Sequence, residues 1–179
     1  MPNVVQNEYV VFPSAADEAI VKSQFYEVCG FPGILGVMDG SHIKIVAPKA
    51  DNESAYYCRK GGHSINLLLI CDSKYTIRYA NAKFPGTSHD SYIWRCTQLQ
   101  NYLKEKYLRG ERNFWLLGDS GFVLQPWLMT PISEASNAAE ERYNIAHKNT
   151  RCIVERCIRV LKARFRCLSY ERCLYYQGK

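Results

Sequence analysis

Residues 36–46 read GVMDGSHIKIV, and the alternation along them decides the architecture. Val37, Asp39, Ser41, Ile43 and Ile45 fall on one side of an extended chain, and Met38, Gly40, His42 and Lys44 on the other. The pattern predicts a strand on which one carboxylate, Asp39, shares a face with core aliphatics.

Upstream of this strand, Ser14 followed three positions later by Asp17 marks a helix start, and the helix can run through Cys29 until Gly30 and Pro32 stop it. Downstream, residues 50–62 are polar and turn-rich, a predicted loop. The apolar run Ile65 to Cys71 then reads as a buried central strand. Asp72, Ser73 and Lys74 form a tight turn, and Tyr75 to Phe84 alternates well enough for a third strand, antiparallel to the second. A three-strand meander results, ended by Pro85 and Gly86.

Ser88 is placed to cap a helix from His89 to about Tyr107, with Ile93, Cys96, Leu99, Leu103 and Tyr107 spaced for one buried face and Asp90 in the first turn. Phe114 to Leu117 forms a short apolar strand running into Gly118-Asp119-Ser120-Gly121, and Trp127 to Thr130 a further one. The closing helix begins between Glu134 and Asn144 and runs to about Arg166. With Glu155 at zero on a helical wheel, Val154, Ile158, Leu161 and Phe165 fall between about −60° and −120°, an apolar stripe. Lys148, Arg151, Arg159, Lys162 and Arg166 lie within about 40° of Glu155 itself. One carboxylate thus sits inside a basic stripe.

The charge distribution sharpens this. Residues 142–172 carry nine Lys/Arg against two acids, a net +7, which leaves −1 of the chain's +6 for everything else. A near-neutral body with one basic segment suggests a surface that faces a polyanion, with a solvated helix face as the alternative. The chain of 179 residues, 47% hydrophobic, has the makeup of one compact domain. The sequence offers no signal-peptide pattern at its start, and its longest apolar run is too short for a bilayer, so a soluble, intracellular protein without a membrane role is expected. Eight cysteines without regular spacing argue for reduced thiols, and the lack of a Cys-x-x-Cys pair argues against structural zinc.

Strands, then a helix, then strand and helix, with acids on the first strand (Asp39), at the tip of the fourth (Asp119) and on the closing helix (Glu155), is the ribonuclease H-like arrangement: an α/β fold with a mixed sheet flanked by helices. The blocks MDGSHI, PGTSHDSYI, LLGDSGF, PWLMTP and ERCIRVLKARFRCL occur in that order and resemble the DDE-type endonuclease domain of PIF/Harbinger transposases and the nucleases derived from them. The resemblance implies a catalytic triad of Asp39, Asp119 and Glu155. Many members of that family have 35 residues between the second and third acids, as here between Asp119 and Glu155. It further implies Asp90 as a fourth metal-associated carboxylate. The domain organisation expected from it is an amino-terminal helical lead-in over 1–33, the nuclease domain over 34–168 and a tail over 169–179 cut short of the family's usual final helix.

Converging carboxylates fit this chemistry. Two held about 4 Å apart repel by about 4 kcal/mol at an effective dielectric near 20, so such a cluster calls for cations or raised pKa values. Mg or Mn is the natural answer, since an ion pair roughly 3.5 to 4 Å apart can activate a water or a 3′-hydroxyl and stabilise the leaving oxygen of a phosphodiester. His42 and His89 are candidates for supporting roles, or for turns and packing. The expected function is a metal-dependent DNA endonuclease, with Lys148, Arg151, Arg159, Lys162 and Arg166 as phosphate contacts, and the alternative is a DNA- or protein-binding module that no longer cuts. The resemblance also implies a Myb-like DNA-binding partner and a nuclear location, with the cytoplasm as a second compartment.

Other readings of the same residues are weaker. Singly, Asp39 and Asp119 read as strand-end turns, Asp90 as a helix-dipole charge and Glu155 as an i,i+4 partner of Arg159. The GDSG segment matches serine-protease nucleophile context, with His42, Asp90 and Ser120 in the right order. However, Phe122 stands where a second glycine belongs, and the helical carboxyl half leaves no room for a second barrel.

Overall fold

The computed structural model describes residues 9–48, 53–58, 61–169 and 174. Its elements are α1 (Glu18–Cys29), β1 (Ile34–Lys44), the single turn α2 (Glu53–Tyr56), β2 (Ser64–Cys71), β3 (Ile77–Pro85), α3 (Asp90–Arg95), α4 (Gln98–Leu108), β4 (Trp115–Leu117), β5 (Leu128–Met129) and α5 (Ala138–Arg164), with a 3-10 turn at Arg166–Leu168. The five strands form one sheet in the order β3-β2-β1-β4-β5. β1, β2 and β3 are the predicted antiparallel meander, while β4 runs parallel to β1 and β5 parallel to β4. With helices on both faces, this is the ribonuclease H-like fold.

The period of two along β1 creates the two layers. Val37 joins the core beneath α1 and α5, with Val21, Phe25, Ile43, Leu69, Ile153, Val154 and Ile158. Met38 joins the core beneath α3 and α4, with Leu68, Ile70, Ile93, Trp94, Leu103 and Leu116. Every residue of β2 is buried, because both faces are covered, and this is why its sequence beyond Asn66 is a continuous apolar run and not an alternating one. Each such aliphatic side chain contributes about 1.5–3 kcal/mol relative to exposure.

Local chemistry sets the boundaries. α1 ends at Gly30, whose φ of 66° is open to glycine without strain and whose N–H donates to the Tyr26 carbonyl. The Ser14 hydroxyl donates to Asp17 at 2.7 Å ahead of this helix, with Asp17 as N-cap residue. In the turn after β2, Asp72 accepts from the amides of Lys74 and Thr76 at 2.8 and 2.9 Å and from Arg78 Nε at 2.8 Å. Asn137 caps α5, its side chain accepting from the amides of Ala139 and Glu140.

Three expectations are corrected. The helix expected over 89–107 is two helices broken at Cys96–Thr97. Thr97 Oγ1 donates to the Trp94 carbonyl at 2.8 Å and accepts from Gln100 N at 3.1 Å, so one hydroxyl closes α3 and opens α4, and Cys96 is turned out to solvent. Ser88 does not cap; His89 stands at that position without a side-chain bond. Phe165, expected on the apolar stripe of the closing helix, is 53% exposed, because its φ of −111° and ψ of 83° leave the helix and carry it off the wheel.

α1 supplies Val21 and Phe25 to the core shared with β1 and α5, so residues 18–29 pack as part of one unit with the sheet and the closing helix. The first eight residues of the predicted lead-in, and residues 170–173 and 175–179 of the predicted tail, lie outside the described residues. Among the described residues no helix is long and apolar enough to cross a membrane, and the seven cysteines there are free thiols.

Candidate active site

Parallel pairing of β1 and β4 sets Val37 opposite Leu117, both in the core under α5. Two residues further along, Asp39 on β1 and Asp119 just past β4 come near enough for the charge of Asp119 to bear on Asp39. Asp119 lies just past the end of β4 in a tight turn: its Oδ1 accepts the Gly121 amide at 2.9 Å and its backbone carbonyl the Phe122 amide at 3.2 Å. Asp39 Oδ1 accepts the Gly40 amide at 3.0 Å.

α5 crosses over these acids with His147, Arg151 and Glu155 one helical turn apart, a row on a single face. Arg151 Nη2 lies 3.2 Å from Asp39 Oδ1 and its Nη1 lies 4.0 Å from Glu155 Oε1. Side-chain exposure falls from 49% at Glu155 to 21% at Asp39 and 15% at Arg151, so the arginine is the most enclosed of these three. His147 Nε2 sits 3.3 Å from the Met129 carbonyl, and burial, reinforced by the Arg151 charge, holds its pKa below the ordinary histidine value. The ring is therefore neutral at pH 7.

Asp39 is pushed up to about 6, first by burial and then by the negative charges of Asp119 and Asp90, against the opposing pull of Arg151 and the Gly40 amide. Asp90 reaches this neighbourhood from the opposite face of the sheet. Its Oδ1 accepts from Asn66 Nδ2 at 2.6 Å, and the same amide group donates to the Ser88 carbonyl at 2.9 Å. The close approach depends on Gly40, where a Cβ would stand 2.2 Å from the Asp90 carboxylate. Only a residue without a side chain lets that carboxylate rest against β1.

The predicted site residues therefore divide. The charges of Asp90 and Asp119 bear on Asp39, and Glu155 is joined to Asp39 by Arg151. Of the predicted phosphate contacts, Lys148, Arg159 and Arg166 are exposed, Arg151 is turned inward, and Lys162 Nζ donates to the His42 carbonyl at 2.9 Å. His42 Nδ1 lies 3.0 Å from Ser64 Oγ, and His89 is exposed at the start of α3. The inward Arg151, the neutral His147, and the placement of Asp90 by Asn66 and Gly40 were not expected from the sequence. The i,i+4 spacing of 147, 151 and 155 was the available signal for the first two.

The donor set is carboxylate oxygen throughout, which suits a hard divalent cation such as Mg or Mn. As they stand, no three His, Cys, Asp or Glu side chains among the described residues come together around one ion position. The cation in contact with Asp39 is Arg151, whose buried Nε has no hydrogen-bond partner. A groove of about 1000 Å³ lies elsewhere, lined by Phe12, Arg78, Tyr79, Lys83, Phe84 and Leu99 among others, and none of the four acids borders it.

Sheet order and acid positions together define a ribonuclease H-like α/β protein of the DDE type, with Asp on β1, Asp after β4 and Glu on the closing helix. The family model described as "DDE superfamily endonuclease" matches residues 38–177. The chain belongs to that family, in its Harbinger transposase-derived branch. It is 40% identical over 167 residues to "Putative nuclease HARBI1" of Homo sapiens, covering 91% of this chain and 46% of that protein. The Xenopus laevis protein of the same name is 36% identical over 169 residues, covering 93% and 47%. "Protein ALP1-like" of Arabidopsis thaliana is 25% identical over 173 residues, covering 90% and 42%. The chain spans less than half the length of these curated relatives, and no solved structure matches it.

Proposed function

We propose that the chain carries the catalytic domain of a DNA endonuclease of transposase descent, dependent on Mg or Mn, with Asp39, Asp119 and Glu155 as catalytic acids and Asp90 as a fourth metal-associated carboxylate. The observation that supports this most is the parallel pairing of β1 and β4, which ends at Val37 and Leu117 two residues short of Asp39 and of Asp119, with Arg151 linking Asp39 to Glu155 on α5. Bound divalent ions would supply an activated water or 3′-hydroxyl and stabilise the leaving oxygen of the phosphodiester.

The protein's own residues prepare that event. Asp39 is held on a central strand and Asp119 by its turn, so both carboxylates are positioned before substrate arrives. Neutral His147 lies beside the Asp119 turn without adding positive charge. Lys148, Arg159 and Arg166, exposed along and just past α5, are candidates to hold the DNA backbone by charge without reading bases. The resemblance to Harbinger-type proteins further supports a Myb-like DNA-binding partner and a nuclear location, with the cytoplasm as a second compartment.

One observation favours a second reading. Arg151 already pairs with Asp39, and no three described ligands meet, as suits a binding module that has ceased to cut. Plasmid nicking with manganese separates the two. The native chain is expected to nick, and Glu155→Gln to lose roughly a hundredfold or more of that activity. Equal nicking by both chains, or none by the native one, supports the binding module.

A further inference from the structure

Arg151 is an unusual occupant of an acid cluster. It comes from the same helix as Glu155 yet points into the sheet, contacts Asp39 at 3.2 Å and approaches Glu155 at 4.0 Å. Asp119 and Asp90 are close enough for their charges to bear on Asp39 as well. The guanidinium is only partly satisfied, since its Nε is buried without a partner. A buried donor left unpaired costs about 1–3 kcal/mol, so the arrangement is held by charge and not by a completed hydrogen-bond set. It is the sort of contact that gives way when a stronger cation offers itself.

We propose that Arg151 is a built-in countercation, a positioning residue that holds Asp39 and Glu155 together before metal loading and competes with the divalent ion for the same carboxylates. The proposal rests on the reading of the four acids as a metal site. Metal entry then requires the guanidinium to leave, and the four-residue step from Glu155 lets it move to the substrate side without unwinding the helix. Two positive occupants competing for one set of anions are negatively coupled, so each weakens the other's hold. A residue turned outward to DNA phosphate would carry far less of this coupling, and one that stabilised the fold away from the acids would not alter metal affinity once the variant had folded.

Manganese binding to the full chain is the test, measured by calorimetry and by the free-ion electron paramagnetic resonance signal, with melting curves taken without metal. Arg151→Gln, checked for folding by circular dichroism, is expected to bind Mn²⁺ at least about fivefold more tightly than the native chain while melting lower in its metal-free form. Arg151→Lys, which keeps the charge but presents a single compact ammonium in place of the fork, is expected to fall between them in both measurements. Native binding that Arg151→Gln leaves unchanged or weakens overturns the countercation and leaves the metal site standing. Absence of Mn²⁺ binding by all three chains overturns the metal-site reading itself, and this proposal with it.

Discussion

Asp39 projects from one face of β1 and Asp90 rests against the other, and the two carboxylates are held by different means. Asp39 is fixed by charge: an arginine from α5 contacts it, and burial together with two neighbouring acids raises its pKa to about 6. Asp90 is fixed by neutral groups and by shape, through the Asn66 amide at 2.6 Å and the gap left by Gly40. The position of the first therefore depends on which cations are present, while that of the second is built into the sheet. A site made this way has one rigid carboxylate from the α3 side and an adjustable set on the α5 side.

The largest test strikes the rigid side. Gly40→Ala puts a methyl group 2.2 Å from the Asp90 carboxylate, which must swing away. If Asp90 works with Asp39, nicking is expected to fall by about a hundredfold, as for an active group misplaced by an ångström. Thermal melting should show a loss of only about 1–3 kcal/mol. Native-level nicking by this variant would separate Asp90 from the site.

The next test concerns the adjustable side. A carboxyl whose folded pKa lies above its unfolded value binds its proton more tightly in the folded state, so its contribution is complete below pH 4 and is lost as pH rises to about 6. Metal-free native chain should therefore lose of order 2–3 kcal/mol of stability relative to Asp39→Asn across that window, the Asn variant cancelling the other titrating groups. Parallel denaturation curves at pH 4 and pH 7 measure it, and a constant difference between the two chains would mean that Asp39 is not desolvated as described.

The smallest effect sharpens the contrast by asking which side meets DNA. With Lys148, Arg159 and Arg166 exposed, the log-log salt slope of binding should be about −3, and Arg159→Gln should reduce its magnitude by about 1. A slope near zero would return the basic face of α5 to plain solvation.

Much of this fold is legible in residue order because its strands obey simple periods. The alternation of 36–46 placed Asp39 on the face of Val37 and Ile43, which lie in the core under α5, and the run 65–71, apolar but for Asn66, marked a strand covered on both faces. What escaped was decided by partners distant in sequence. A helical wheel put Arg151 in an outward basic stripe because it carries no information about what lies opposite, and the attraction of Asp39, 112 positions earlier, turned it inward. The helix break is the exception, a local one: the Thr97 hydroxyl, bonding three residues back and three forward, interrupts a helix that the spacing of apolar residues alone would continue. The approach of Asp119 to Asp39 needed the parallel pairing of β1 and β4, which no local pattern specifies.

That register has one more result. The pairing of β1 with β4 ends at Val37, so from Asp39 to Ile43 no described strand adjoins β1 on that edge, although β2 continues to line the other. The sheet thus has a notch whose floor begins at Asp39. Along that stretch a side chain of α5 stands where a strand would, since Lys162 donates to the His42 carbonyl, so this edge of β1 answers to the closing helix.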